Sequence, residues 1–237
     1  MSEFRRLRHG ESEDGILRFS PTDLAKCPII LRDKKLGLHE YKYTEATKHI
    51  FAEGSKIHVL RGIYRSGSKE QVNTELRMKC IKDDGAYIFS GYTDFVMLDE
   101  NGLYIEDLKS CSRRAFYHFN NEKGSVGERI QVSAYRWLYY VVFGVIIERA
   151  VITKIDRENT LNKFALEVEI MSINDFEDFL INHPTVLFLQ DKINEKVFLS
   201  RTKEYVQKER WLCRYCDRSE DCEINLALNI EEEVNKK

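Results

Sequence analysis

Gly91-Tyr92-Thr93-Asp94-Phe95, followed by Tyr104-Ile105-Glu106-Asp107-Leu108-Lys109-Ser110, decides how this chain is read. Apolar and β-branched residues flank Asn101-Gly102, a pairing that predicts a hairpin. The first strand carries Asp94 and the second carries Asp107 and Lys109. Side chains two apart on a strand project to one face, so Asp107 and Lys109 stand together. Glu75, on the strand before, adds a third acid. Acids converging at strand ends repel one another unless a cation lies between them, and a divalent metal prefers such hard oxygen ligands. A metal held there polarises a phosphodiester and acidifies a bound water. Lys109 is then placed to orient the water or to stabilise charge developing on phosphorus. Acid-x-Lys is also what a plain ion pair on a strand looks like, and solvated edge carboxylates are the bland alternative.

Working outward, the hairpin is the middle of an antiparallel meander with strands at 72–81, 86–98 and 103–111 and a further turn at Asp83-Asp84-Gly85. Upstream, Ser20 caps a helix with Pro21 in its first position and Asp23 in its first turn. Leu24, Cys27 and Leu31 recur on its inward face, Pro28 bends or shortens it, and Gly37 ends it. A second helix spans 44–64, with a stripe of Ala46, Ile50, Ile57, Leu60 and Tyr64. It carries His58, which taken alone reads as an ordinary helix histidine.

Downstream, 112–126 is a basic, aromatic loop with Arg113, Arg114, Phe116, Tyr117, His118 and Phe119. The apolar helix at 127–142 places Gln131 and Tyr135 one turn apart on one face. Strands follow at 145–155 and 164–170, then a helix capped by Asn174 and another after Pro184. The strand–helix–strand passage from 103 to 155 predicts a parallel crossover. The fold class is mixed α/β (α+β), a central mixed sheet flanked by helices. Residues 1–18 read as a flexible arm, 19–225 as a single domain, 195–210 as a polar stretch and 226–237 as a charged tail.

Across 237 residues the apolar share is 43% and the charged share 32%, a globular and not a disordered composition. Basic and acidic residues number 37 and 39, so net charge neither announces nor excludes a nucleic-acid partner; only the local field decides. No apolar run is long enough for a membrane span, and the basic start lacks the apolar core of a secretory signal. The expected location is the cytoplasm, a reducing compartment. No Gly-rich nucleotide loop is present, so no built-in ATP motor is expected.

In a reducing compartment the six cysteines are not expected to form disulfides. Cys213, Cys216 and Cys222 crowd one short segment, and Cys27 is the natural fourth ligand of a closed thiolate site. Four cysteines fit either zinc or an iron–sulfur cluster. Cys80 and Cys111 lie in apolar strands and read as core residues.

Taken together, His58, Glu75, Gly91-Tyr92-Thr93-Asp94, Asp107-Leu108-Lys109 and Gln131-Val132-Ser133-Ala134-Tyr135 are bracketed by Cys27 and Cys213-x2-Cys216-x5-Cys222. This set resembles the RecB-type nucleases of the PD-(D/E)xK superfamily. Within them it is most similar to the iron–sulfur branch, which includes the CRISPR-associated Cas-four exonucleases and the AddB nuclease domain. The resemblance covers about 19–222. It implies Mg2+ or Mn2+ on His58, Asp94 and Asp107, with Glu75 in support and Lys109 as the catalytic lysine. It further implies a DNA-guiding Gln131 and Tyr135, and a [4Fe–4S] cluster on Cys27, Cys213, Cys216 and Cys222. The implied activity is cutting of single-stranded DNA ends in CRISPR adaptation or repair, with integrase proteins or a helicase as partners. The competing reading is a non-catalytic nucleic-acid-binding adaptor with a zinc or iron–sulfur clasp, using the aromatic and basic run from Arg113 to Phe119.

Overall fold

The computed structural model describes residues 4–6, 13, 15–38, 45–65, 71–118, 124–208, 213 and 222–234. The architecture is mixed α/β, and the chain divides into two compact units. One comprises Met1–Ala25 and Tyr41–Glu177, the other Lys26–Glu40 and Asp178–Lys237. Among the described residues, no helix is long and apolar enough to cross a membrane.

The first unit is built on the expected meander of β3 (Gln71–Lys82), β4 (Tyr87–Asp99) and β5 (Gly102–Cys111). Its turns close on the residues that predicted them. Gly85 takes a left-handed φ of 73° and donates its N–H to the Lys82 carbonyl at 2.8 Å, and Gly102 has a φ of 106°. β5 then pairs in parallel with β6 (Arg149–Asp156), and β6 pairs antiparallel with β7 (Lys163–Val168). The crossover between β5 and β6 contains α5 (Val126–Phe143), opened by a reciprocal Ser125–Glu128 capping box and stopped by left-handed Gly144. Every α5 residue from Ile130 to Tyr139 is buried, because α5 packs against the sheet and against α1 (Pro21–Leu24) together.

Several sequence expectations are corrected. Within residues 1–18, read as a flexible arm, 4–6 form a strand, and 17–18 begin another that ends at Phe19. β1 (Phe4–Arg6) pairs with β3 and β2 (Leu17–Phe19) runs parallel to β4. Their anchors are aromatic. Phe4 stands edge-on to Trp137 at 4.8 Å and Phe19 edge-on to Tyr87 at 5.3 Å. The helix begun at Ser20 ends by Ala25, and Pro28 opens a separate helix, α2 (Pro28–Leu36), in the position where a proline costs no hydrogen bond. α3 (Glu45–Arg65) lies where expected, but only a narrow strip of it meets the sheet. Ile57 joins Phe95, Met97, Leu108 and Ile155 in one apolar cluster, whereas Ile50 and Leu60 are 42% and 64% exposed. The 112–126 loop contains α4 (Arg113–His118), which buries Phe116 against Phe164. α6 (Ile173–Ile181) is capped by the Ser172 hydroxyl, not by Asn174.

The second unit is helical: α2, α7 (Pro184–Leu189), α8 (Glu195–Lys208) and α9 (Glu223–Val234). Its core gathers Ile29, Phe198, Val206, Ile224 and Leu228. α8 occupies most of the stretch read as merely polar. Phe198, Thr202 and Val206 recur every fourth residue and are all buried, and the threonine hides the stripe from a hydropathy reading. The boundary at 225/226 is likewise displaced, since α9 runs through it with Ile224 and Leu228 on its buried side.

Candidate active site

The site forms where the sheet forks. The β4–β5 ladder ends at Phe95↔Glu106. Beyond that point β4 stays paired with β3 as far as Ile88, and β5 stays paired with β6 as far as Cys111. Asp94 and Asp107 are the first residues past the split. Asp94 satisfies the backbone that the split frees, its Oδ2 accepting the Leu108 N–H at 2.7 Å. Strand alternation sends Leu108 into the α3 cluster and leaves Asp107 and Lys109 on the opposite face. Asp107 is 2% exposed, and the Lys109 ammonium lies 2.7 Å from its Oδ2.

From Lys109 a chain of polar contacts reaches α5. The ammonium donates to Gln131 Oε1 at 2.8 Å, and Gln131 Nε2 donates to the Tyr135 hydroxyl at 2.9 Å. The predicted i, i+4 pair thus works as one rigid arm. Gly91 allows this arm to sit so close. A Cβ there would lie 2.8 Å from the Pro21 ring and 3.2 Å from the Tyr135 ring, so the glycine permits α1 and α5 to press on β4.

His58 completes the fork from α3, donating Nδ1–H to Asp94 Oδ1 at 3.2 Å. With that proton fixed, its Nε2 keeps a lone pair for a ligand. α3 approaches β5 at Gly54, where a Cβ would meet the Ser110 hydroxyl at 3.1 Å. Glu75 stands across the ladder from Asp94, between the pairs Thr74↔Phe95 and Leu76↔Thr93. It is exposed, adopts a left-handed φ of 46°, and makes no hydrogen bond or ion pair to the other site residues. Six of the seven predicted residues in this unit therefore make direct contacts, His58 with Asp94 and Asp107 through Lys109 and Gln131 to Tyr135, and Glu75 is a neighbour only.

The electrostatics of the fork favour a cation. Burial pushes the Asp107 carboxyl up, and Asp94 and Glu128 push the same way against the pull of Lys109. Burial alone would depress Lys109, but the carboxylates of Asp107, Asp94 and Glu128 outweigh it and raise its pKa. The hydrogen bond to Asp94 raises His58 in turn. All three groups shift toward holding protons, Asp107 chiefly through burial, Lys109 and His58 through the carboxylates beside them. The donor set, one imidazole and two carboxylates, suits a small divalent metal. Among the described residues, however, no three such side chains are already gathered around a point that could hold one. Asp107 faces Lys109 and Asp94 divides its oxygens between His58 and Leu108.

Two contributors escaped the sequence reading. Lys154 on β6 is the register partner of Lys109, is 3% exposed, and pairs with Glu128 of the α5 capping box at 3.2 Å. A lysine inside a β-branched strand was the available signal, since such a charge must be paired to be buried.

In the second unit Cys27, Cys213 and Cys222 all pack against the same small core. Burial pushes the Cys27 thiol up to about 12, with the Cys222 and Cys213 sulfurs adding to the effect. The Ile29 and Ile30 amides oppose it. The three thiols border one core near a helix N-terminus, but among the described residues no three of them are gathered closely enough to hold a metal. Cys216 lies outside the described residues. Cys80 is buried in the first unit, and Cys111 is half-buried with its thiol toward the Ile155 carbonyl.

No protein-family model and no curated protein matches the chain. Among solved structures, that of SSO0001 superposes with a TM-score of 0.53 at 17% identity, over 92% of this chain and 89% of that one, and shares its fold. The alkaline exonuclease LHK-Exo from Laribacter hongkongensis gives a TM-score of 0.43 at 12% identity, over 84% of this chain and 95% of its own. Its complex with dAMP gives 0.47 at 12%, over 81% and 93%. These two are too distant to bear on the activity.

Proposed function

We propose that the chain is a metal-dependent deoxyribonuclease of the RecB-like PD-(D/E)xK type that cuts single-stranded DNA from its ends. The observation that carries this reading is the fork. Two carboxylates, an imidazole and a lysine meet where the sheet opens, and the lysine is held by Gln131 and Tyr135. Mg2+ or Mn2+ bound by His58, Asp94 and Asp107, with Glu75 in support, would supply an acidified water and a polarised phosphate. Lys109, aimed by Gln131, brings a positive charge to the phosphorus as charge builds on its oxygens. Tyr135 and Gln131 steer the strand. In the second unit a [4Fe–4S] cluster on Cys27, Cys213, Cys216 and Cys222 acts as a structural clasp. Such end-trimming in the cytoplasm fits CRISPR adaptation beside integrase proteins, or repair beside a helicase, and the neighbouring genes distinguish the two.

The test is digestion of end-labelled single-stranded DNA with Mg2+ or Mn2+, comparing the natural chain with Lys109→Ala and Asp94→Ala. Equal cutting by all three sinks the proposal. A second reading, a binding module that does not cut, draws on the metal ligands not being pregathered. It predicts DNA binding without product in either metal and a colourless, zinc-bearing protein.

A further inference from the structure

A cavity of about 590 Å3 opens beside the fork, within the size range of small-ligand sites. Its wall includes His58, Glu75, Ser110 and Arg157, with Phe51 and Val59 of α3. It thus joins two site residues to four that no role yet explains.

Arg157 is the informative one. It follows directly on β6, and its neighbours Asp156 and Glu158 are both engaged by Arg113, at 3.4 and 3.5 Å. Among the described residues the Arg157 guanidinium has no carboxylate partner. A half-buried arginine on a cavity wall with no described carboxylate within ion-pair distance favours a phosphate, which its guanidinium can grip with two parallel hydrogen bonds. Phe51 and Val59, 52% and 56% exposed, make the rim of the same cavity apolar, which suits the flat face of a base.

We infer that this cavity is the subsite for the nucleotide next to the cut, with its phosphate on Arg157 and its base against Phe51 and Val59. This rests on the nuclease reading above and names where the strand lies relative to it. The ligand is one nucleotide unit of a single strand, recognised by charge and stacking and without base identity.

The experiment measures binding of a fluorescent single-stranded oligothymidylate to the Lys109→Ala protein in Mg2+, alone and with Arg157→Ala or Phe51→Ala added. Thermal melting confirms that each variant is folded. Arg157→Ala should weaken binding about tenfold and flatten the dependence of log K on log salt by about 0.7, the loss of one phosphate contact to a single strand. Phe51→Ala should weaken binding about fivefold or more with the salt slope unchanged. In the otherwise natural chain, Arg157→Ala should raise KM and leave kcat within about twofold, because the contact is made equally before and during the reaction. Binding unaltered by Arg157→Ala, in a protein whose parent binds and whose natural form cuts, overturns the subsite and leaves the nuclease reading standing. A parent that neither binds nor cuts in either metal removes both.

Discussion

The two units face the same task, holding groups that repel or resist one another when no metal is present, and they handle it differently. In the first, the protein supplies its own counter-charges. Lys109 sits against Asp107, His58 against Asp94, and the freed Leu108 amide donates to the other Asp94 oxygen. In the second, Cys27 has only a partly buried thiol that its surroundings keep protonated, and the helical core beside it is small. The fork should therefore be shaped before a metal arrives, whereas the helical unit, on the proposed thiolate ligation, should depend on a bound metal for stability. A small core rarely suffices without such a staple.

The largest expected effect tests that contrast directly. Cys27→Ser, or removal of the proposed cluster with a chelator and reductant, should strip hydrogen-exchange protection from α2, α8 and α9 and leave β3, β4 and β5 protected. Structural thiolate sites contribute roughly 10 kcal/mol or more to small domains, far above what this core can replace. Equal loss of protection in both units would break the comparison.

Next comes Lys109→Ala. Loss of one charge aimed at the reacting phosphate should lower kcat by about 100- to 1000-fold. The variant also probes self-sufficiency. Without metal, Asp107 is left buried and unpaired, so the first unit should melt earlier. Added Mn2+ should restore the midpoint, because a cation replaces the missing ammonium. A midpoint indifferent to Mn2+ would mean that no cation binds at the fork.

The legible and the hidden parts of the sequence divide along physical lines. The meander was legible because its signals are local: Asn101-Gly102, Gly85 and the strand period. So was the Gln131–Tyr135 pair, because helical spacing alone puts the two on one face. The fork was not, since nothing near Phe95 or Glu106 marks where a ladder stops. That depends on how β3 and β6 pull the two strands apart. The short β1 and β2 carry too few residues for a period to emerge, and their burial rests on rings brought from elsewhere, Trp137 and Tyr87. α8 was masked by a single buried threonine, and the stripe on α3 misled because Ile57 is buried against the sheet while Ile50 and Leu60 are exposed.

A smaller effect separates the units by pH. His183 is fully buried in the second unit, where burial pulls its pKa down to about 4 and the Thr185 amide donates to its Nδ1 at 3.3 Å. A folded-state pKa below the unfolded value means that the neutral ring stabilises the fold above pH 6.5. That contribution is lost progressively as pH falls toward 4, to a maximum of about 3 kcal/mol. Denaturant titrations of the natural chain and His183→Gln should show the second unit weakening over this window in the former and much less in the latter. A parallel decline in both would assign the acid sensitivity to other groups.

The last contrast lies inside the first unit, between what shapes the fork and what merely lines it. Gly91 makes no polar contact in the site, yet a methyl group added there would meet the Pro21 ring at 2.8 Å and the Tyr135 ring at 3.2 Å. Neither ring is the loose end of a flexible side chain. Pro21 is locked by its own cyclisation and the Ser20 cap, and Tyr135 is held by Gln131. Gly91→Ala should therefore cost about 1–3 kcal/mol through overpacking. It should also turn Tyr135 and loosen the Gln131 grip on Lys109, lowering kcat more than it raises KM. Pro21→Ala removes the two ring carbons nearest the new methyl. In that background Gly91→Ala should cost less stability, while the kcat defect, which runs through Tyr135, should persist. A double-mutant cycle reads the two couplings separately. If stability and kcat recover together, Pro21 alone transmits the strain, and the close approach of Tyr135 has no part in positioning the lysine.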